Sequence, residues 1–405
     1  MTQHRPLRLQ SSLRTVPADR TWRAARDCLS AFNITRVTDV TRMDRLGLPV
    51  CVSVRPRGLA LRVHAGKGLT LDEARVGAAM EAIEFAVAEP QRTPWVGRDL
   101  RMGDLQDHWA GRFDAEDLAP RFRMEIPPDM PMRTVACEDL ATGQSIWLPA
   151  QFVFVPYPLA PGSDPFGWST NGLASGNSPA EATLHGLFEV LERDALAMNL
   201  ARDESLWLAH DQLPFPFGEI AADWSARGID LAVRYVPNEF GWPCFTAMVH
   251  EGGGQTVDLA RGSGLHADAT IALARAVCEA AQSRLSGVHG GRDDITTFFD
   301  HVRAEGACPD ARERPAYQQA FDTRRTVAWA DIPSLMSAPD SLEELLQQVL
   351  HSLARLGFAH VLRYRFDIDL PGLHVMKVIV PRTQEMSDHS PRVGRRLYQR
   401  ATTHA

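Results

Sequence analysis

Cysteine is scarce in this chain and scattered where it occurs. Cys28, Cys51, Cys137, Cys244, Cys278 and Cys308 lie far apart in 405 residues, and no two form a CxxC pair. That pattern argues against a zinc site or a disulfide framework and predicts reduced thiols in a cytoplasmic protein. Cys278 sits in an alanine-rich helical pattern and reads as core, not as a nucleophile. The opening stretch MTQHRPLRLQSSLRTV has no apolar run of signal-peptide length, and nothing resembles a membrane span. A sustained basic run is also missing. With a net charge of −7, a pI of about 6.1 and dispersed arginines, nucleic acid is not the expected partner.

Several familiar nucleotide and metal motifs are absent. AGKGLT holds a Gly-Lys pair but lacks the upstream glycine and the Ser or Thr after lysine that a Walker-A loop needs. The glutamates of the charged helices have no histidine three residues on, so they do not make di-iron Glu-x-x-His pairs. EGGGQ lies between two strand patterns and reads as a turn. No repeat of solenoid or propeller length occurs.

What is present suits a full globular core, with 44% hydrophobic and 23% charged residues. Residues 20–30 read as helix, and ITRVTDV, LPVCVSVRP and GLALRVHAGKG read as strands. A helix over 72–88 opens with Thr70 and Glu73 at capping-box spacing. Residues 90–130 show no clear period and read as an irregular excursion. RTVACEDL and QSIWLPAQFVFV form the next strands, and WPCFTAMVHE with GGGQTVDLA a hairpin. GSGLHADAT leads into a helix over 268–286, and the tail reads as helix 341–356 and strands 359–367 and 373–380. Hairpins and crossovers together predict α+β, or α/β with mixed sheets, and not a purely parallel doubly wound fold. The expected divisions are an N-terminal α/β segment (1–65), a nucleotide-binding core (66–300) and a C-terminal α-β-β segment packed with that core (301–405).

Three helices carry the same arrangement. One holds Glu81 and Glu84; the next Glu181, Glu189, Glu192 and Arg193; the third Arg275, Glu279 and Gln282. At roughly 100° per residue, a spacing of three keeps side chains within about 60° of one another, so each helix bears a narrow polar stripe. If the stripes converge, the crowded carboxylates need cations, and Mg2+ bound with a phosphate is the natural counter-charge. The alternative is an ordinary solvated face of Glu and Arg pairs. Glu181 has a second reading as the capping glutamate of SPAE. His185, four residues from both Glu181 and Glu189, reads as a packing or surface histidine. TNGLASGN, ahead of the second helix, reads as a tight loop able to turn backbone N–H groups toward an anion.

Taken together, GKGLT…EARVGAAMEAIE (66–84), TNGLASGNSPAEATLHGLFEVLERDA (170–195) and HADATIALARAVCEAAQSRLSGVHGGRDD (266–294) resemble the YcaO-domain family of ATP-dependent enzymes acting on peptide backbone amides. The resemblance covers most of the chain and implies a YcaO-like fold with ATP and Mg as cofactors. It implies Glu81, Glu84, Glu181, Glu189, Glu192 and Glu279 as metal ligands or near-ligands. It also places Lys67, Asn177, Glu181, Arg193, Arg275 and Glu279 about the nucleotide. Gly77 and Ala174 depart from the family, which often has serine there. No catalytic base is assigned. In such chemistry the amide oxygen is phosphorylated after a nucleophile adds, giving a thioamide from external sulfide or an azoline from a Cys, Ser or Thr of the substrate.

The chain ends YQRATTHA, without the proline-rich tail common in azoline-forming members. ITRVTDVTRMDRLGLPV and VMKVIVPRTQEM look more like the branch paired with a TfuA partner protein, which favours thioamidation. A non-catalytic nucleotide-binding accessory protein is the contrasting expectation. The expected partners are a peptide or protein substrate and a TfuA-like protein, with a homodimer allowed for, and neither nucleic acid nor membrane.

Overall fold

A computed structural model describes residues 6–90, 97–157, 165–251, 259–292, 309–335, 339–386 and 392–403. The chain begins with β1 (Leu7–Arg8), β2 (Leu13–Arg14) and α1 (Ala18–Cys28), followed by β3 (Arg36–Asp39), β4 (Val50–Val54), β5 (Val63–Lys67) and α2 (Leu71–Ala88). Next come β6 (Gly97–Arg101), α3 (Met102–Trp109), β7 (Pro131–Asp139), β8 (Ser145–Pro149), β9 (Leu173–Gly176) and α4 (Pro179–Ala201). Then β10 (Leu206–Trp207), α5 (Phe217–Ala226), β11 (Ile229–Tyr235), β12 (Cys244–Glu251), β13 (Leu259–Leu265) and α6 (Ala269–His289) follow. The last elements are α7 (Pro309–Ala320), α8 (Leu342–Arg355), β14 (Leu362–Arg365), β15 (His374–Ile379) and α9 (Arg395–Thr402).

The strands form a three-stranded sheet β3-β4-β5, a four-stranded sheet β10-β11-β12-β13, and a larger sheet β6-β7-β14-β15-β9 with β8 also on β7. Every ladder between these strands is antiparallel, which selects α+β of the two expected classes. β14 and β15, from late in the chain, sit inside the large sheet between β7 and β9.

Three strand–helix units organise the molecule: β5 with α2, β9 with α4, and β13 with α6. Each helix starts at a side chain that accepts its third amide, from Thr70 to Glu73, Ser178 to Glu181 and Asp268 to Ile271. Each helix lies on its own strand and also touches the strand of the next unit: α2 meets β9, α4 meets β13, and α6 meets β5. The units therefore close into a ring. The strands can lie this close because glycine faces the helix. A Cβ on Gly66 would collide with the backbone of Ala74 and Ala78, and one on Gly264 with the backbone of Ala272 and Ala276. Gly264→Ala is expected to cost roughly 2–4 kcal/mol, seen as a lowered denaturation midpoint. Gly287→Ala, whose Cβ would meet nothing within 4 Å, is the control.

α2, α4 and α6 bury residues on nearly every side, unlike the one-sided α8, so their polar stripes are not solvated faces. Two readings of the sequence change, and one stretch with no sequence reading proves to be structured. Leu173–Gly176, inside the expected loop TNGLASGN, is a buried edge strand, because β15 supplies its ladder from His374 to Lys377. The excursion at 90–130 contains β6 and α3; β6 is mostly exposed and so lacks alternation, while α3 buries only Met102, Leu105 and Trp109. The segment before the β12–β13 hairpin holds α5 and β11, which pack Trp224, Ile229, Leu231 and Val233 into one core. Most of EGGGQ lies in 252–258, outside the described residues, as does Cys308. The other five cysteines are free and buried.

Candidate functional site

The ring encloses a cleft of about 600 Å³. All ten site residues expected from the sequence line it: Lys67, Glu81, Glu84, Asn177, Glu181, Glu189, Glu192, Arg193, Arg275 and Glu279. Gln282 lines it as well, whereas Arg284 points elsewhere and pairs with Asp44 and Glu251. His185, expected to be a packing or surface residue, also lines the wall.

Counting from the caps shows why the stripes meet. Glu81, Glu189 and Glu279 each stand eleven residues past an N-cap, and Glu84, Glu192 and Gln282 each fourteen. Equivalent positions on ring-related helices face one centre. The next strand around the ring then fixes one carboxylate of each helix. Ser175 of β9 donates to Glu84 (2.5 Å). Ser263 (2.5 Å) and the Leu265 amide (3.1 Å) of β13 donate to Glu192. Lys67 of β5 donates to Glu279. Glu81 accepts from the Ala65 amide at 3.2 Å.

Electrostatics divides these acids. Burial pushes Glu84 up to about 8; the charges of Glu81 and Glu189 add to this, and its Ser175 bond opposes it. Burial likewise raises Glu81 to about 7 against the pull of Arg292 and Lys67. Glu189 is raised by burial, partly offset by Arg193. At Glu279 burial also acts upward, but Lys67, Arg193 and Arg275 outweigh it and hold that carboxyl low. Glu81, Glu84 and Glu189 are thus raised together, while Glu279 is held low by Lys67, Arg193 and Arg275.

These residues fit Mg2+ and a phosphate chain. Among the described residues no three acid, His or Cys side chains gather as a ready-made metal cage. Mg2+ does not require one, since it is held by one or two carboxylates with phosphate oxygens and water completing its shell. For the anion, Arg193 is open to the cleft and flanked by the charges of Glu192, Glu189 and Glu279. Arg275 has a buried Nε with no acceptor, while its Nη1 lies 3.4 Å from His185. Burial, then Arg14 and Arg275, keep His185 neutral, so its ring can accept from Arg275 while Nδ1 faces the Ser175 carbonyl at 3.5 Å. Cys278 lines the cleft, but burial pushes its thiol up to about 12, which fits packing and not attack.

The two departures from the serine pattern now have positions. Ala174 is fully buried, and the neighbouring Ser175 carries a hydroxyl into the cleft. Gly77 faces the cleft, and a Cβ there would stand 3.2 Å from the Cα of Gly66. Sequence reading missed Arg14 and Thr15, which bond Glu181, as well as Arg261 and Arg292 on the cleft wall. No local pattern marks Arg14 and Thr15, because Glu181 lies 167 and 166 residues away from them.

Comparison with known proteins decides the family. Residues 65–384 match the family model described as YcaO cyclodehydratase, ATP- and Mg2+-binding. The chain belongs to the YcaO family. ATP and Mg2+ are the cofactors of that family, and its core spans all three units of the ring. This YcaO chain is 31% identical to an uncharacterized protein of Methanothermobacter thermautotrophicus, over 93% of this chain and 96% of the relative. It is 34% identical to a protein of Rhizobium leguminosarum bv. trifolii named for its place in a tfuA 3′ region, over 91% of this chain and 88% of the relative. Among solved structures, YcaO from Methanopyrus kandleri bound with AMPPCP and Mg2+ matches with a TM-score of 0.73 at 25% identity, covering 98% of each chain. No helix among the described residues is long and apolar enough to cross a membrane.

Proposed function

We propose that this YcaO protein activates a peptide backbone amide by ATP- and Mg2+-dependent phosphorylation of its oxygen once an external sulfur donor has added to the carbonyl carbon, and that loss of phosphate leaves a thioamide. The observation that carries this is the closure of three helices around one cleft lined by Glu81, Glu84, Glu189, Glu192 and Glu279 together with Lys67, Arg193 and Arg275. Glu81, Glu84, Glu189, Glu192 and Glu279 hold the metal, directly or through water. Arg193 and Arg275 receive phosphate, while Lys67 and Asn177 border the nucleotide.

An amide carbonyl is a weak electrophile whose oxygen leaves poorly; ATP supplies a phosphoryl group that makes that oxygen a leaving group, and Mg2+ spreads the charge. The chain contributes position and field. The strand donors Ser175, Ser263 and Lys67 fix the acids, so little reorganisation is needed as charge moves.

The sulfur branch is supported by the Rhizobium relative's tfuA neighbourhood and by the stretches ITRVTDVTRMDRLGLPV and VMKVIVPRTQEM. A TfuA-like partner and a peptide substrate complete the system. The second reading is azoline formation, favoured by the family's description as a cyclodehydratase. Incubation with ATP, Mg2+, candidate peptide and sulfide, followed by mass spectrometry, separates them. Replacement of oxygen by sulfur supports thioamidation, and loss of one water supports the azoline. Nucleotide binding without turnover or product would leave only the accessory role.

A further inference from the structure

The N-terminal hairpin makes a set of contacts that the ring itself does not require. β1 and β2 pair over only two residues each, Leu7 with Arg14 and Arg8 with Leu13. So short a hairpin is not stable alone, and its place must come from docking. Its anchors fall on one acidic group at the start of each cleft helix. Ser11 donates through its amide (3.0 Å) and hydroxyl (2.9 Å) to Glu73, in the first turn of α2. Thr15 donates through its amide and hydroxyl, both at 2.8 Å, to Glu181 in the first turn of α4, where Arg14 adds a contact at 3.2 Å. Arg8 spans both oxygens of Asp268, the N-cap of α6, with Nη2 to Oδ1 at 3.0 Å.

Glu181 is the extreme case. With the Asn177 amide at 3.1 Å it accepts four hydrogen bonds, about the full capacity of a carboxylate. Its question, cap or metal ligand, therefore has a third answer in this arrangement: it is an anchor. The hairpin turn and the residues after it, Leu9, Ser11, Ser12, Arg14 and Val16, also form one wall of the cleft.

We propose that the hairpin is a clasp that holds the three cleft helices in register, with Arg8, Ser11, Arg14 and Thr15 as positioning residues. Because all four act through one short hairpin, weakening one anchor loosens the others. A set of separate local bonds would not behave this way.

The test uses hydrogen exchange on the full chain without nucleotide. It reads peptides covering the capped amides of Glu73, Glu181 and Ile271, each held by its cap side chain. Thr15→Val removes a bond to α4 alone. A clasp predicts faster exchange at the starts of α2 and α6 as well, and Arg8→Ala should do the same at α2 and α4. Thr15→Ser should restore protection at all three helix starts. Acceleration confined to the helix that lost its bond would overturn the proposal. A second readout rests on the nucleotide reading above: Arg8, which is not in the cleft wall, should on replacement by Ala weaken binding of ATP with Mg2+ about tenfold. If the wild type binds no ATP, the nucleotide reading fails, while the exchange result still decides the clasp.

Discussion

Glu189→Gln is expected to lower Mg2+-dependent ATP turnover by on the order of 100-fold or more, with the fold retained. Glu189 lines the cleft, and its charge is felt by Glu81, Glu84 and Arg193. Glutamine keeps its shape and removes the charge that a divalent cation would meet. The same change also removes a buried carboxyl already pushed toward its neutral form, so the apo protein should be no less stable than wild type. Glu192→Gln should lose turnover by a similar factor, but with a stability cost, because Glu192 also accepts from Ser263 and Leu265 of β13. Phosphate release assays with thermal melts of each variant check both statements. Unchanged turnover in the two variants would remove the catalytic reading of the cleft.

Without ligand, Glu81 and Glu84 are expected to withdraw stability as pH rises from about 5 to about 9, and Mg2+ with ATP should restore it. Buried His64, His185 and His266, held neutral, give the opposite slope below about 6.5, so the carboxyl contribution is read as the difference between wild type and Glu84→Gln. Glu81 is raised from 4.5 to about 7, and Glu84 from 4.5 to about 8. Between those limits each of these two carboxyls holds its proton more fully in the folded state than in the unfolded state. Their stabilising contribution is thus fully present below the unfolded value and disappears as pH climbs through the folded one. At about 1.4 kcal/mol per unit, Glu84 alone accounts for a few kcal/mol of this slope. Glu84→Gln should therefore melt higher than wild type at about pH 9 and lose this downward contribution. A cation binding there displaces protons, so calorimetry in buffers of different ionisation enthalpy should show proton release on addition of Mg2+ with ATP. A melting profile of the same slope in wild type and Glu84→Gln would refute the assignment.

The sequence by itself determined the local parts. Capping residues Thr70, Ser178 and Ser341 with their glutamates located three helix starts, and the three-residue spacing of acids located the stripes. Those signals are readable because a helix turn is built from neighbours in the chain. The three family motifs carried the identity of the cofactors.

Only the tertiary structure decided where the stripes point and what holds them. Glu84 meets Ser175, Glu279 meets Lys67 and Glu181 meets Thr15 across separations of 91, 212 and 166 residues. No periodicity encodes such distances. LASG looked like a loop because its small residues have little strand propensity of their own, and β15 makes it a strand by pairing from the far end of the chain. The same acids could have formed solvated faces. Closure of the ring buried them instead, and burial, more than composition, raised Glu81 and Glu84 while neighbouring cations held Glu279 low.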